Sequence, residues 1–151
     1  MEDHLFIHKE IILDAPVSQV WDALTNPDLT RQYMFECDAI SDWKKGSPII
    51  WKGYKDGKVY VKGHIVDVDP GKLLRFTTFG ADSKLPDTPS NYSTVTYTLT
   101  PEADGKTKLI MTDGDFAKIA DGEARYKHSV GGWDTVFPKL KMAVENETET
   151  S

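Results

Sequence analysis

The last third of the chain carries the pattern that most restricts its fold. Between Asp121 and Asn146, the residues Tyr126, Val130, Trp133, Phe137, Leu140 and Val144 follow at intervals of 4, 3, 4, 3 and 4. This spacing lines one side of an α-helix. A side so rich in large apolar groups cannot be left in water, so an element of similar extent has to cover it. The preceding stretch supplies one. From Cys37 to Asp113 the apolar period is two, which predicts strands at Cys37–Ser41, Pro48–Tyr54, Val59–Asp69, Lys72–Phe79, Ser93–Pro101 and Lys106–Asp113. Lys45-Gly46, Asp56-Gly57, Pro70-Gly71 and Asp104-Gly105 give their connections turn chemistry. Short links of this kind join antiparallel neighbours, so the cover is a meander.

Upstream, Leu5–Asp14 reads as a strand with Leu5, Ile7, Ile11 and Leu13 on its buried face; Phe6, Lys9 and Ile12 break the alternation. Ala15-Pro16 opens a helix with the proline in the first turn, and Val17, Val20, Trp21 and Leu24 form its apolar stripe. Asn26 then caps a second short helix that starts at Pro27 and runs through Met34. The prediction is a layered α+β domain over residues 1–146, in which a curved antiparallel sheet wraps the C-terminal helix. The polar end is read as a frayed tail, disordered over 147–151. Gly80–Tyr92, with Pro86 and Pro89, is the one long polar loop.

Composition narrows the function classes. The 151 residues make one domain, and the net charge of -6 without a basic block argues against nucleic-acid binding. No apolar run reaches the ~20 residues needed to span a bilayer, so no integral membrane association is expected. The N-terminus lacks the features of a signal peptide, and the single Cys37 forms no internal disulfide. A cytoplasmic monomer is expected.

Two features of the last helix work against tight packing. Gly131-Gly132 costs about 1 kcal/mol per glycine relative to alanine. Pro138 removes a helical N–H at a cost of about 3 kcal/mol. Either these residues fit the helix to the sheet, or they shape space beneath it. Trp51, Tyr60, Phe76, Phe79, Tyr92 and Tyr97 lie on or beside the central strands, with Met34 and Phe35 from the second short helix, a set that suits the walls of an apolar cavity opposite Trp133 and Phe137. The candidate ligand-binding set is Met34, Phe35, Trp51, Tyr60, Phe76, Phe79, Tyr92, Trp133 and Phe137. Tyr60, Tyr92 or His128 would orient a polar head.

Several segments carry a family resemblance. Ala15-Pro16 followed by Val20-Trp21-Asp22-Ala23-Leu24-Thr25-Asn26-Pro27 resembles the pattern AP…VW.ALT.P. Gly63-His64-Ile65-Val66-Asp67-Val68-Asp69-Pro70, then Leu73-Leu74-Arg75-Phe76-Thr77, resembles G.V.EVDPP..L.FT. Val95–Pro101 with Gly105 and Leu109 is similar to VTFTLTP…GTRL, and Gly131-Gly132-Trp133 through Leu140 to GW...L..L. In this order they resemble the SRPBCC (START-like, Bet v 1-like) superfamily, in the branch of the activator of heat shock protein 90 ATPase. The resemblance implies a helix-grip fold with a hydrophobic cavity between sheet and C-terminal helix. Tyr33-Met34-Phe35-Glu36-Cys37 departs from it, where relatives often carry WF and a glycine-rich turn.

Other chemistry finds little support in the residues. His4 and His8, four apart on a strand, are ~13 Å apart at ~3.3 Å per residue, too far to share a zinc ion. His64 and His128 have no acidic or cysteine partner nearby in sequence. Cys37 reads as a buried inert thiol. Asp113-Gly114-Asp115 lacks the rest of a calcium loop and reads as a turn leaving the last strand. No metal and no cofactor are expected. The leading expectation is non-enzymatic binding of a small hydrophobic or amphipathic molecule (lipid, sterol-like, polyketide or flavonoid-like), with a role in stress response. The second is a co-chaperone-like domain with a chaperone as partner. The third is a cyclase- or hydrolase-type enzyme, which would need His128 and an acidic residue converging inside the cavity.

Overall fold

The computed structural model describes residues 4–150, and the side chains of residues 4–145. Seven strands form one antiparallel sheet in the order β1-β7-β6-β5-β4-β3-β2. They are β1 (Ile7–Leu13), β2 (Cys37–Ser41), β3 (Pro48–Gly53), β4 (Val59–Asp69), β5 (Leu73–Gly80), β6 (Ser93–Pro101) and β7 (Thr107–Gly114). Consecutive strands from β2 to β7 pair as neighbours, the meander that the turn residues imply. β1 closes the far edge, on β7, and α1 (Val17–Thr25) and α2 (Pro27–Tyr33) carry the chain across to β2. The predicted helix-grip architecture is the one found.

The ends differ from the sequence reading in small ways. Pro16 is extended, with φ -70° and ψ 160°, and occupies the N-cap position rather than the first turn of α1. Asn26 caps α2 as expected, its side chain accepting from the Asp28 N–H at 3.0 Å. Asp113 and Gly114 belong to β7, so the predicted turn begins later than expected. The C-terminal helix, α3, runs Gly122–Thr150, beyond the predicted end. Ser151 of the expected tail, and the side chains of 146–150, lie outside the described residues.

Curvature comes from irregular pairing. Register shifts occur between Trp51 and Lys52 in the β3–β4 ladder and between Ile65 and Asp67 in the β4–β5 ladder. Such bulges bend a strand and increase its twist. Gly63 is required there, since a Cβ would fall 1.7 Å from the Thr77 carbonyl oxygen of β5. The concave face so formed receives α3. Leu140 and Val144, both 0% exposed, key the helix into the same core that holds Leu109 and Met111. The α3 backbone packs against α1, α2 and β1. Lys9, the polar interruption in β1, reaches across to pair with Asp134 of α3.

The turn after α2 is fixed by buried polar bonds. Tyr33 Oη donates to the Ala23 carbonyl at 2.7 Å. Thr30 Oγ1 donates to the Cys37 carbonyl at 3.1 Å and accepts from the Ala39 N–H at 2.9 Å, tying α2 to β2. Phe35 and Glu36 then take left-handed backbone angles, with φ of 52° and 59°. L-residues favour that region only when their surroundings hold them there. Phe35 is thereby held outward, 57% exposed, with its ring tip next to Gly132 of α3.

Candidate functional site

Between the concave face and α3 lies a half-open cleft of about 890 Å³. Trp51, Phe76 and Val95 form its sheet wall, Met34 and Phe35 one lip, and Trp133 with Val136 the helix wall. A second lobe of about 720 Å³ adjoins it, bordered by Phe79, Leu85, Phe116 and Arg125. Tyr60, Val61, Thr78, Asp113, His128 and Ser129 border both lobes, so they mark the junction. The size and the aromatic lining suit a small-molecule site.

The glycine pair explains why the space exists. A Cβ at Gly131 would have no neighbour within 4 Å, and one at Gly132 would meet only Phe35 Cζ at 3.9 Å. Neither glycine is required for a close approach of the sheet. Of the two readings open from sequence, shaping of space fits this geometry. Pro138 is exposed to solvent.

Of the nine candidate residues, Met34, Phe35, Trp51, Tyr60, Phe76 and Trp133 line the larger lobe, and Phe79 the smaller. Phe137 and Tyr92 line neither. Phe137 is 7% exposed and packs edge-on against the Trp133 ring at 5.9 Å. Tyr92 stacks on Phe79 at 4.8 Å, and its hydroxyl donates to Asp87 at 2.6 Å. The helical period puts Phe137 on the apolar side of α3, whereas Tyr92 precedes β6 at the end of the long loop. Neighbouring rings take the positions next to the cavity.

The feature missed by sequence reasoning is Asp113. It is 4% exposed, near the end of β7, among the cavity rings. Its Oδ2 accepts from Trp133 Nε1–H at 2.9 Å, and its Oδ1 accepts from the Ser93 hydroxyl. Burial pushes the Asp113 carboxyl above the usual carboxylate range, and the two hydrogen bonds and nearby Arg125 pull it part of the way back. Tyr97 lies close by, its ring edge-on to Trp133 at 6.2 Å. Burial raises its phenol as well, with Asp113 adding to the effect. The signal in the sequence was an acidic residue at an inward position of β7, two after Met111 and four after Leu109. The adjoining Gly114-Asp115 suggested a turn instead.

The remaining chemistry is sparse. Cys37 is buried and its thiol is raised, chiefly by burial and secondly by neighbouring acidic side chains, which matches an inert thiol. His64 pairs with Thr77 Oγ1 at 3.2 Å. His128 and Asp113 border the same cavity, and the Asp113 oxygens accept from Ser93 and Trp133. Among the described residues, no group of three or more His, Cys, Asp or Glu side chains is placed to hold a metal ion. No helix of the described residues is long and apolar enough to cross a membrane.

The raised Asp113 acid has a consequence for pH. Its native form binds a proton more tightly than the unfolded chain does, so its stabilising contribution is present at low pH. That contribution is lost as pH rises from about 4, the ordinary aspartate value, through the higher native value. The stability difference between the wild type and Asp113→Asn is therefore expected to shrink as pH rises, in urea melts from pH 4 to 8. A difference that grows with pH would mean that the two hydrogen bonds outweigh burial.

A curved antiparallel sheet gripping a long C-terminal helix over an aromatic cavity defines an SRPBCC-type domain. Within that class, residues 14–145 match the family described as activator of Hsp90 ATPase homolog 1-like protein, and the chain belongs to this family. ChR145 from Cytophaga hutchinsonii shares 35% identity over 99% of both chains, with a TM-score of 0.75. MLL2253 from Mesorhizobium loti shares 26% identity over 94% of this chain and 98% of its own, also with a TM-score of 0.75. PFC0360w, an HSP90 activator from Plasmodium falciparum, shares the fold with a TM-score of 0.73 at 16% identity, over 94% of this chain and 96% of its own. No curated protein matches the chain.

Proposed function

We propose that the domain is a non-enzymatic binder of a small hydrophobic or amphipathic molecule, held between the sheet and α3. Lipid, sterol-like, polyketide and flavonoid-like molecules are the matching classes. The observation that carries this reading is the cleft of about 890 Å³ beside a glycine pair that packing does not require. Apolar burial at roughly 25 cal/mol per Å² supplies most of the affinity. The Trp51, Phe76 and Trp133 rings form the contact surface, and Phe35 covers the mouth.

Gly131 provides the test. Gly131→Leu projects a side chain into the mouth and also removes a helix-interior glycine, worth about 1 kcal/mol. The variant is expected to unfold at higher urea while binding an apolar ring probe such as naphthalene at least tenfold more weakly. Unchanged probe binding in this stabilised variant would argue against the cavity as the site.

The family suggests a second reading, a co-chaperone-like interaction domain that partners Hsp90. Phe35 and Tyr54, 57% and 55% exposed, lie at one end of the β2–β3 pair, with Arg31 stacked on Tyr54 at 3.9 Å. Such an apolar surface suits protein contact. Stimulation of purified Hsp90 ATPase by the domain, lost in Phe35→Ser/Tyr54→Ser but kept in Gly131→Leu, would favour this reading over the first.

A further inference from the structure

We propose that Asp113 is the polar anchor of the cavity and that the bound molecule is an aromatic or fused-ring compound carrying a hydroxyl group that meets this carboxyl. The proposal rests on the reading of the cleft as a small-molecule site and adds the chemistry of what fills it.

Position is the first reason. Asp113 is one of the residues that border both lobes, so a molecule extending from the Trp51/Phe76 end toward the Phe79/Arg125 end passes it. The residue is also costly where it stands. A carboxyl in an apolar wall loses its hydration, and only hydrogen bonds offset that loss. A packing role would be met by an apolar side chain of the same shape. Ionisable groups retained in such places concentrate at functional sites.

Hydrogen-bond capacity is the second reason. A carboxylate offers about four acceptor positions. Ser93 Oγ–H and Trp133 Nε1–H occupy one on each oxygen, which leaves each oxygen able to accept again. The two donors also hold the group at fixed orientation, so no rotamer freedom is lost when a ligand arrives. Around it stand Tyr97 on β6, Arg125 and His128 on α3, and Asp121 just before that helix.

The type of ligand group follows from what the carboxyl can pair with. An ionised Asp113 only accepts, so it leaves an ether or ketone oxygen unpaired. A neutral Asp113 has a proton to donate, and an ammonium cannot take it. A hydroxyl both donates and accepts, so it pairs with either form. The surrounding rings select a flat apolar body to carry that hydroxyl.

The test compares three probes of one shape: naphthalene, 2-naphthol and 2-methoxynaphthalene. Binding is read from the Trp133 indole N–H resonance, which lies at the anchor. In the wild type, 2-naphthol is expected to bind at least about tenfold more tightly than naphthalene, the range of a hydrogen bond to a charged or strongly polar partner. 2-Methoxynaphthalene, which cannot donate, is expected to bind no more tightly than naphthalene. Asp113→Leu should keep naphthalene binding and bring 2-naphthol to or below it. Asp113→Asn keeps the fold readily, because the amide oxygen can accept from Trp133 while its NH₂ donates to Ser93. In that variant the preference for 2-naphthol should fall at least threefold. Equal binding of naphthalene and 2-naphthol to the wild type would overturn the anchor and leave the cavity reading intact. So would a hydroxyl preference that survives both substitutions. Failure of all three probes to bind the wild type would overturn both.

Discussion

Trp133→Ala is expected to lower the unfolding free energy by about 3–5 kcal/mol, the range for removing a large buried ring. Trp133 is 8% exposed, and its ring sits edge-on to Tyr97 on the sheet side and Phe137 on the helix side. It is therefore the aromatic bridge between the two layers. Its loss also removes the indole donor to Asp113 Oδ2. Trp133→Phe isolates the second effect better, since it keeps a six-membered ring in place while removing the N–H with the rest of the indole. That variant should cost roughly 1–3 kcal/mol, as expected when a buried polar partner is left unpaired. Both are read from urea midpoints at unchanged m-value. A loss below about 1 kcal/mol in Trp133→Ala would mean that the helix is held by the Leu140 end alone, and that the cavity wall carries little of the fold's stability.

Thr30→Val should cost about 2–4 kcal/mol although the two side chains have nearly the same shape. Thr30 is 0% exposed, and its hydroxyl serves both the Cys37 carbonyl and the Ala39 N–H. Valine leaves two buried backbone groups without that partner. Each such group carries a penalty of about 1–3 kcal/mol. Thr30→Ser keeps the hydroxyl and should lose only about 1 kcal/mol, near the value of one buried methyl. The effect extends to the site, because Thr30 fixes the start of β2 and hence the left-handed pair Phe35-Glu36 at the cavity mouth. Thr30→Val is expected to broaden or shift the Phe35 ring resonances while those of Phe76 stay sharp. Equal stability of the valine and serine variants would remove the hydroxyl from the account.

The layers and strand order were legible because they follow from local chemistry. The 4-3-4-3-4 stripe of α3 and the period of two between Cys37 and Asp113 each bury one face only. Gly46, Gly57, Gly71 and Gly105 all take positive φ, as the turn reading requires. Seven of the nine candidate residues border one lobe or the other, and for Trp51, Phe76 and Trp133 the period of their element reports which face is inward.

Periodicity does not report depth, and there the reading from residues stopped. Phe137 and Phe76 look alike in sequence, yet one is sealed behind Trp133 and the other lines the opening. That outcome depends on how far α3 stands from β4 and β5, a distance set by sheet bulges and by residues far apart in the chain. Asp113 shows the same limit. Its local pattern suggested a turn, and its meaning came only when Ser93 from β6 and Trp133 from α3 closed around it. The amino-acid order was enough to choose the grip of sheet on helix, since burying an apolar face is a nearest-neighbour requirement. The empty space and its one buried acid are properties of three elements meeting. Such a meeting has no signature in any single stretch of the chain.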